Sequence, residues 1–570
     1  MPYRAPTTDL AFMLDRVVGF AQVAATERFA DATPDMVDAV LTEAGRLASE
    51  VLAPLNRAGD KHPARLENGV VRTAPGFADG YRAIADGGWV AVAAPVAHGG
   101  MGLPFTIASV INDMFSAACL SLQLNPLLTQ GQIEALEHHA SDALKDLYLP
   151  KLISGEWNGT MNLTEPQAGT DVGALRAKAE PLDDGTYAVS GQKIYITWGD
   201  SDLQANTVHL VLARIPGSAQ GTGGISLFLV PKFLPDAAGN PGKRNSLQVV
   251  SLEHKLGIHG SPTCVMQYDG AVGWLVGAEN RGMAAMFTMM NNARVGVGVQ
   301  GVGIAEAAFQ HALDYARTRT QGHSPERHQP TIIGHADVRR MLATMKAQVF
   351  SSRAIALSCA VAIDMTTATG SAEWRARAAL LTPIAKAYCT DVGCAVASEG
   401  VQIHGGMGFI EDTGAAQFMR DVRITPIYEG TNGIQAMDLV GRKMADEGEA
   451  ARHLIAEIEA HTQAARATLP DLADDVRAAI DGLREATEVL LTQSANDRFA
   501  GAVPYLRGFA LVLGAHFHLK AAMAEGQAGP RRALARVAIK RLLPEHSALF
   551  AQMREGADDL YALSPDDLAA

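Results

Sequence analysis

A stretch of short β-branched runs lies between two long helical regions, and it constrains the fold more than any other feature. Before it, apolar residues recur at helical spacing, as in Asp35 to Leu52, which Pro54 is predicted to end, and in Ile107 to Leu124. From about 158 to 275 the apolar runs are short and separated by turn residues, as in Thr207–Leu212 and Ile225–Val230. Helical periodicity returns near 281, with long segments predicted over 281–318, 335–367 and 372–401.

The length of 570 residues exceeds a single typical core and predicts several domains. The fold class is therefore predicted as α+β and mainly α. The predicted domains are an N-terminal helical domain over 1–157, a central β-barrel or sheet domain over 158–278, a C-terminal helical bundle over 279–445, and an additional helical domain over 446–570.

Composition argues against several classes of protein. A net charge of -13 disfavours a general nucleic-acid surface, and residues 446–570 carry 19 Asp and Glu against 13 Lys and Arg. The start, Met1–Pro6, lacks the apolar core of a secretory signal, and nowhere do about 18 uncharged apolar residues run together. Five scattered cysteines fit reduced thiols, and none has the spacing of a metal site. These features predict a cytoplasmic protein without membrane, nucleic-acid or metal binding.

A literal G-x-G-x-x-G occurs at Gly296, Gly298 and Gly301. The dinucleotide fingerprint needs a strand before the glycines and a helix after them. Both flanks here are helical in pattern. We therefore interpret the glycines as a close helix–helix contact.

Three further motifs suit a polar or planar ligand. The loop Met161–Asp171 offers hydroxyls and backbone donors, but a solvated turn would look the same. Lys193–Trp198 places an aromatic residue and a hydroxyl two positions apart on one strand face, with a buried strand as the alternative. Gln402–Phe409 has three glycines in four positions, which allows close approach of a phosphate and exceeds what a helix cap needs.

A single carboxylate, Glu429, precedes Gly430 in an otherwise apolar run that begins at Ile424. Apolar surroundings disfavour the charged form and raise the pKa, which makes a better base for a weak carbon acid. Taken alone, a Glu at a surface turn explains the same residues.

In this order, the motifs resemble the acyl-CoA dehydrogenase family over about residues 40 to 443. The succession is Thr164-Glu165-Pro166-Gln167-Ala168-Gly169-Thr170-Asp171, Lys193-Ile194-Tyr195-Ile196-Thr197, a helix led by Arg294, Gln402 with Gly405-Gly406-Met407-Gly408, and Ile427-Tyr428-Glu429-Gly430-Thr431. The resemblance implies a C-terminal four-helix bundle, FAD as cofactor, and α,β-dehydrogenation of an acyl-CoA thioester to the trans-2-enoyl-CoA.

The resemblance also implies which residues contact FAD. Thr164 would hydrogen-bond the pyrimidine edge and Thr197 would reach N5, with Tyr195 beside the ring where the family commonly has tryptophan. Arg319 matches an arginine that holds the FAD pyrophosphate of a neighbouring subunit. The full set of implied cofactor residues is Met161, Leu163, Thr164, Thr170, Tyr195, Thr197, Arg319, Gln402, Gly405, Gly406 and Thr431.

Glu429 matches the base that removes the substrate α-proton. The implied substrate contacts are Thr170, Asn291, Arg294 and Gly430. Asn291 replaces a frequent Asp, which puts the details of the pantetheine contact in question.

Partners and competing functions follow from the same resemblance. An electron-transfer flavoprotein would accept the electrons, and the chain would form a homodimer or a dimer of dimers. The opening Tyr3–Leu14, the stretch Lys255–Cys264 and the helical tail resemble the subgroup of 3-methylmercaptopropionyl-CoA dehydrogenases, which act in dimethylsulfoniopropionate breakdown. Medium- or long-chain fatty acyl-CoA is the alternative substrate. An acyl-CoA oxidase and a DNA-binding alkylation-response flavoprotein are alternative functions, the second disfavoured by the acidic tail.

Overall fold

The computed structural model describes residues 3–324, 330–526 and 529–570. Met1 and Pro2 lie outside the described residues, and they belong to the N-terminal stretch for which no secretory signal is predicted. The N-terminal region is helical, with one small hairpin. Its elements are α1 (Thr7–Phe12), α2 (Ala21–Ala24), α3 (Pro34–Leu47), α4 (Ala53–Lys61), β1 (Arg65–Glu67), β2 (Val70–Arg72), α5 (Phe77–Asp86), α6 (Phe105–His139) and α7 (Asp142–Ile153).

The middle of the chain is built from strands. They are β3 (Trp157–Asn162), β4 (Lys178–Pro181), β5 (Tyr187–Thr197), β6 (Asn206–Ala213), β7 (Ser226–Pro231), β8 (Phe233–Pro235), β9 (Pro241–Arg244), β10 (Leu247–Leu252) and β11 (Thr263–Val276).

The remainder is helical. After α8 (Gly282–Thr318), α9 (Ala336–Thr369) and α10 (Ala372–His404) come the shorter helices α11 (Ala415–Val422), α12 (Asn432–Val440), α13 (Glu449–Ala465), α14 (Pro470–Thr492), α15 (Ala495–Ala500), α16 (Ala502–Glu525), α17 (Pro530–Val537), α18 (Glu545–Arg554), α19 (Asp558–Ala562) and α20 (Pro565–Ala569). The predicted fold class, a mainly helical protein with a central sheet and an extra helical region at the end, is confirmed.

The chain divides into two compact units. One comprises Ala44–Ala108 and Ala118–Ala293, and the other comprises the residues up to Glu43, Ser109–Ala117 and Arg294–Ala570.

The first of these units contains the sheet, in the strand order β3-β6-β7-β11-β5-β4, with β10 also paired to β11. The long strand β11 makes this possible, because it pairs with β5 from Thr263 to Gly273 and its last three residues pair with β7. Strands β6 and β7 are buried along their whole length, which explains why apolar residues predominate in both. Apolar clusters include Leu210 with Trp157, and Val211 with Met266.

In the second unit, glycines bring α8 and α10 into backbone contact. A Cβ atom at Gly298 would lie 2.9 Å from the Ala385 carbonyl oxygen, and one at Gly301 would lie 2.6 Å from the Cys389 carbonyl oxygen. Only a residue without a side chain fits such an approach. The G-x-G-x-x-G lies inside one continuous helix, so its interpretation as a helix–helix contact is confirmed.

Hydrophobic periodicity predicted the limits of the long C-terminal helices to within a few residues. The limits of the helices in the N-terminal region were predicted less accurately. The prediction that Pro54 ends a helix is wrong. Pro54 lies in the first turn of α4, where backbone N–H groups make no intrahelical hydrogen bond, so a proline is tolerated there. A π-helical turn over Ala48–Leu52 connects α3 to α4. The helix predicted over Ile107–Leu124 is kinked at Cys119, whose backbone is non-helical (φ -159°, ψ 88°), and the helical segment after the kink continues to His139.

Two described helices, α6 and α9, are long and apolar enough to cross a membrane by length and composition. Their most apolar windows are 94% and 89% buried inside the protein. Core helices have this property, so their hydrophobicity is accounted for by packing. The absence of a membrane-spanning segment stays a prediction.

Candidate active site

Glu429 lies in the turn that leads into α12, and its backbone is in the left-handed region with φ 57°. Gly430 follows with φ 84°, so two consecutive residues reverse the chain. The Gln435 side-chain amide donates to the Glu429 carbonyl at 3.1 Å and to the Gly430 carbonyl at 3.4 Å. Thr431 then accepts from the Ile434 N–H and caps α12. A non-glycine residue in this conformation is strained, and such strain is concentrated at functional sites.

The electrostatic environment of Glu429 poises its carboxyl group near neutrality. Burial raises its pKa to about 7, while Arg294 and Lys386 oppose the rise. Among the described residues, no side chain or backbone group hydrogen-bonds the Glu429 carboxylate, so the charged form lacks the donors that would lower its pKa. A carboxylate with a pKa near the working pH is well matched to general-base catalysis.

Lys386 is fully buried on α10 and was not singled out by the sequence. Its ammonium donates to the Asn432 side-chain oxygen at 2.9 Å. Asn432 is held in turn, because its amide donates to Thr390 Oγ1 at 2.9 Å and to Asp391 Oδ1 at 2.7 Å. Burial lowers the pKa of Lys386 to about 8, and the negative charge of Glu429 opposes that change. The first residue of α12 thereby fixes a cation that acts on the carboxylate three positions earlier.

Arg294 lies on α8 and is 7% exposed. Burial lowers its pKa, and the charges of Asp438 and Glu429 oppose this. One guanidinium nitrogen lies 3.9 Å from Asp438 Oδ2. Within residues 3–324, 330–526 and 529–570, Arg294 Nε has no hydrogen-bond partner, which leaves a buried donor available to a ligand.

In the sheet-containing unit, a buried ion pair fastens the loop after β3 to β5. The Lys193 ammonium donates to Glu165 Oε1 at 2.8 Å and to the Leu163 carbonyl at 2.9 Å. Glu165 also accepts from the N–H groups of Arg176 and Ala177. Burial alone would raise the pKa of Glu165, but Lys193 and the two N–H groups hold it below its ordinary value.

This attachment places Thr164 beside the strand that carries Tyr195 and Thr197. The Ile194 N–H donates to the Thr164 carbonyl at 2.9 Å. Tyr195 is 61% exposed and has φ 60°, so an aromatic ring is presented from strained backbone. The structure pairs neither the Thr164 nor the Thr197 hydroxyl with another residue in the part of the chain it describes. An open ring flanked by available hydroxyls fits a planar ligand with hydrogen-bonding edges, as the isoalloxazine of FAD is.

Arg319, Gln402 and the glycines after it belong to the other unit. The Tyr315 ring, one turn before Arg319, stacks on His404 with ring centroids 4.3 Å apart. The end of α8 therefore lies against the end of α10, where the exposed Gln402 and Gly405 are. No heavy atom lies within 4 Å of a Cβ built on Gly405 or on Gly406, which leaves backbone accessible to a phosphate group.

The other predicted residues are placed less tightly. Met161 and Leu163 pack partly buried against the sheet core. Thr170, in the loop, and Asn291, on α8, are exposed. The Thr431 hydroxyl is already engaged as the cap of α12. Within the helical unit, then, the structure brings Arg294 into the electrostatic cluster around Glu429, and Gly430 follows Glu429 in the turn.

The cluster also contains Lys386, Asn432 and Gln435, which sequence reasoning missed. A signal for Lys386 was present, since a lone lysine in the apolar run Leu380–Tyr388 departs from the rule that lysines are seldom buried. The two amides carry no comparable signal, because Asn and Gln at a helix start are ordinary.

Four family models match the chain. They are the acyl-CoA dehydrogenase N-terminal domain over residues 37–156, the acyl-CoA dehydrogenase middle domain over 160–271, the acyl-CoA dehydrogenase C-terminal domain over 280–445, and the acetyl-CoA dehydrogenase C-terminal-like domain over 454–564.

Individual relatives agree with these matches. The 3-methylmercaptopropionyl-CoA dehydrogenase of Ruegeria pomeroyi is 46% identical over 89% of this chain and 88% of its own length. A butyryl-CoA dehydrogenase of Syntrophomonas wolfei is 35% identical over 80% and 78%. Among solved structures, an acyl-CoA dehydrogenase from Bacillus anthracis complexed with FAD has a TM-score of 0.76 at 20% identity and covers 99% of this chain and 93% of that one. The last likeness is one of fold.

Proposed function

Because the chain belongs to the acyl-CoA dehydrogenase family, and is an acyl-CoA dehydrogenase, we propose that it converts 3-methylthiopropionyl-CoA to methylthioacryloyl-CoA with FAD as cofactor. The observation that carries the chemistry is the partly buried Glu429, whose pKa of about 7 suits proton removal from a weak carbon acid. The observation that carries the substrate is the 46% identity over nearly the whole length of both chains. The proposed pathway is dimethylsulfoniopropionate breakdown.

Glu429 is the proposed catalytic base. It takes the α-proton of the thioester. Because its pKa is raised, the Glu429 carboxylate is a stronger base than an ordinary glutamate. The strained turn points to a second role. The Glu429 N–H donates to no backbone acceptor among the described residues, so it is available to the thioester carbonyl, where enolate charge develops. One preorganised donor of this kind is worth roughly 3–4 kcal/mol of the barrier.

Arg294, Asn291, Gly430 and Thr170 are the proposed substrate contacts. The unpartnered Arg294 Nε supports the first of these, since a buried cationic donor suits an oxygen of the pantetheine chain. The flavin ring would be held by Thr164, Tyr195, Thr197, Met161 and Leu163. The rest of FAD would be held by Arg319, Gln402, Gly405, Gly406 and Thr431. Bound FAD would supply the acceptor for the β-hydride.

A homodimer or a dimer of dimers is proposed, with an electron-transfer flavoprotein as electron acceptor and a cytoplasmic location. Support for self-association comes from the apolar side chains beside Gly406. Met407 is 47% exposed, Phe409 85% and Ile410 48%. A second copy that covered them would also cover the open glycine backbone.

The substrate assignment is tested by anaerobic titration of the FAD-loaded enzyme, followed by turnover with an added electron acceptor. Pentanoyl-CoA is the matched control, because it differs from 3-methylthiopropionyl-CoA only by a methylene in place of sulfur. We expect kcat/KM to be highest for 3-methylthiopropionyl-CoA. A higher value for octanoyl-CoA would favour the fatty acyl-CoA alternative, and peroxide formation without an added acceptor would favour an oxidase.

A further inference from the structure

The additional C-terminal domain contains a cluster of potential metal ligands on two helices. Glu457 and His461 lie one turn apart on α13, and His516 lies on α16. A carboxylate oxygen of Glu457 and one ring nitrogen of each histidine all lie within 4.8 Å of one another. The two imidazole rings have centroids 5.1 Å apart. Residues four apart on a helix share a face, so the geometry follows from the sequence spacing on α13.

The buried member of the cluster has an unused ring nitrogen. His516 is 3% exposed, and its Nδ1 has no hydrogen-bond partner in the part of the chain that the structure describes. A buried polar atom without a partner is costly, and its presence calls for a ligand. An imidazole ring nitrogen is among the commonest metal ligands in proteins.

We propose that Glu457, His461 and His516 bind a divalent zinc-type metal ion. Two imidazole nitrogens and one carboxylate oxygen are a known zinc donor set, and they leave a fourth position for water. Zinc–nitrogen distances of about 2.0–2.1 Å require the ligand atoms, now within 4.8 Å of one another, to move closer together. Glu457 and His461 are less buried than His516, which leaves room for small torsional adjustments of their side chains.

Neighbouring groups orient two of the ligands. The Arg377 guanidinium donates to Glu457 Oε2 at 2.7 Å, which leaves Oε1 for the metal. The Glu457 backbone hydrogen-bonds the His461 ring. Outer contacts of this kind fix ligand orientation at metal sites.

Two cations oppose the proposed ion. Arg377 is one, and Lys520, one turn beyond His516 on α16, is the other. The ion would join the first helix of the additional domain to α16 and stabilise that domain.

The test uses the full-length, FAD-loaded protein after treatment with a chelator. Zn²⁺ is titrated by calorimetry, and Co²⁺ is titrated by visible absorption, since a tetrahedral site gives characteristic bands. We expect one ion per chain and a higher Tm. The variants His461→Gln and Glu457→Gln each remove a direct ligand, so each should weaken binding by at least the roughly 10–100-fold that loss of an outer contact costs. His453→Gln, which changes an exposed histidine of the same helix, is the control and should bind as the parent does.

Lys520→Met provides a second measurement that does not remove a ligand. Loss of the opposing cation should tighten Zn²⁺ binding several-fold. Absence of stoichiometric binding, or equal affinity in the parent, His461→Gln and Lys520→Met proteins, would overturn the proposal. Folding of each variant is checked by its flavin content and circular dichroism, and His461, as the less buried histidine, is the safer substitution.

Discussion

Two glutamates, one in each unit, have opposite ionisation behaviour: Glu429 is partly buried and Glu165 is buried. Glu429 has no hydrogen-bond donor on its carboxylate among the described residues, and burial raises its pKa to about 7. Glu165 contacts Lys193 at 2.8 Å and accepts two backbone N–H groups, and these hold its pKa below the ordinary value. The residue type is the same, so direct donors decide the difference. Glu165 is a permanent anion that fastens a loop, whereas Glu429 is able to gain and lose a proton near neutral pH.

The largest expected effect comes from removing the titratable glutamate. Glu429→Gln should lower turnover by about three to four orders of magnitude, because an amide cannot accept the α-proton. FAD and acyl-CoA binding should remain, since the side-chain volume is unchanged. Stopped-flow measurement of flavin bleaching separates the two effects. The exposed Glu411→Gln is the control, and full activity of Glu429→Gln would remove the base from the proposed mechanism.

Breaking the buried ion pair between Lys193 and Glu165 should lower the free energy of unfolding. Lys193→Met leaves Glu165 buried without its cation, and loss of one partner of a buried pair typically costs about 3–5 kcal/mol. Urea unfolding measures the change. The double variant Lys193→Met/Glu165→Gln should recover part of the loss, because the unpaired charge is gone. If the single variant is as stable as the parent, the ion pair does not hold the loop.

The cation beside Glu429 should set the pH at which the base works. Lys386→Met removes a charge that lowers the pKa of Glu429, so that pKa should rise further. A larger fraction of Glu429 is then protonated at pH 7, and turnover there should fall several-fold and recover at higher pH. The acid limb of the kcat profile checks the direction. Lys443→Met is the control, since the Lys443 charge is not among those that act on Glu429. An unmoved or lowered acid limb in Lys386→Met contradicts the assigned role.

The smallest expected effect is on the way the stability of the folded protein depends on pH. The folded-state pKa of Glu429, about 7, lies above the ordinary glutamate value of 4.5, so between these values the folded protein holds more protons than the unfolded chain. Stability from this group is present at low pH and is lost as pH rises through that window. Glu429→Gln should therefore raise Tm by a few degrees at pH 8 and leave it nearly unchanged at pH 4. Calorimetry at the two pH values checks this, and equal shifts would contradict it.

The sequence predicted the elements better than their interactions. Long periodic segments located α8, α9 and α10 because the period depends only on neighbours in the chain. The prediction at Pro54 was wrong because the local sequence is ambiguous there: a proline is found both just after the end of a helix and in the first turn of a helix.

At the candidate site, the sequence located the residues whose motifs are contiguous. Glu429 stood out through its apolar neighbours, but the lysine that acts on it belongs to α10, and the amide that holds this lysine belongs to α12. The proposed metal ligands are divided in the same way between α13 and α16. A pattern along the chain cannot indicate which helices face each other.

The backbone contact between α8 and α10 has a consequence for how the charge at Glu429 is tuned. Gly298 lies four residues beyond Arg294, and a Cβ there would meet the Ala385 carbonyl at 2.9 Å and the Lys386 Cα at 3.5 Å. The two cations that act on Glu429 are thus mounted on helices whose spacing is set by a missing methyl group. An alanine at 298 would push the helices apart and shift the working pH of the base without altering any charged residue. Selection could adjust the acidity of this site through steric spacing alone.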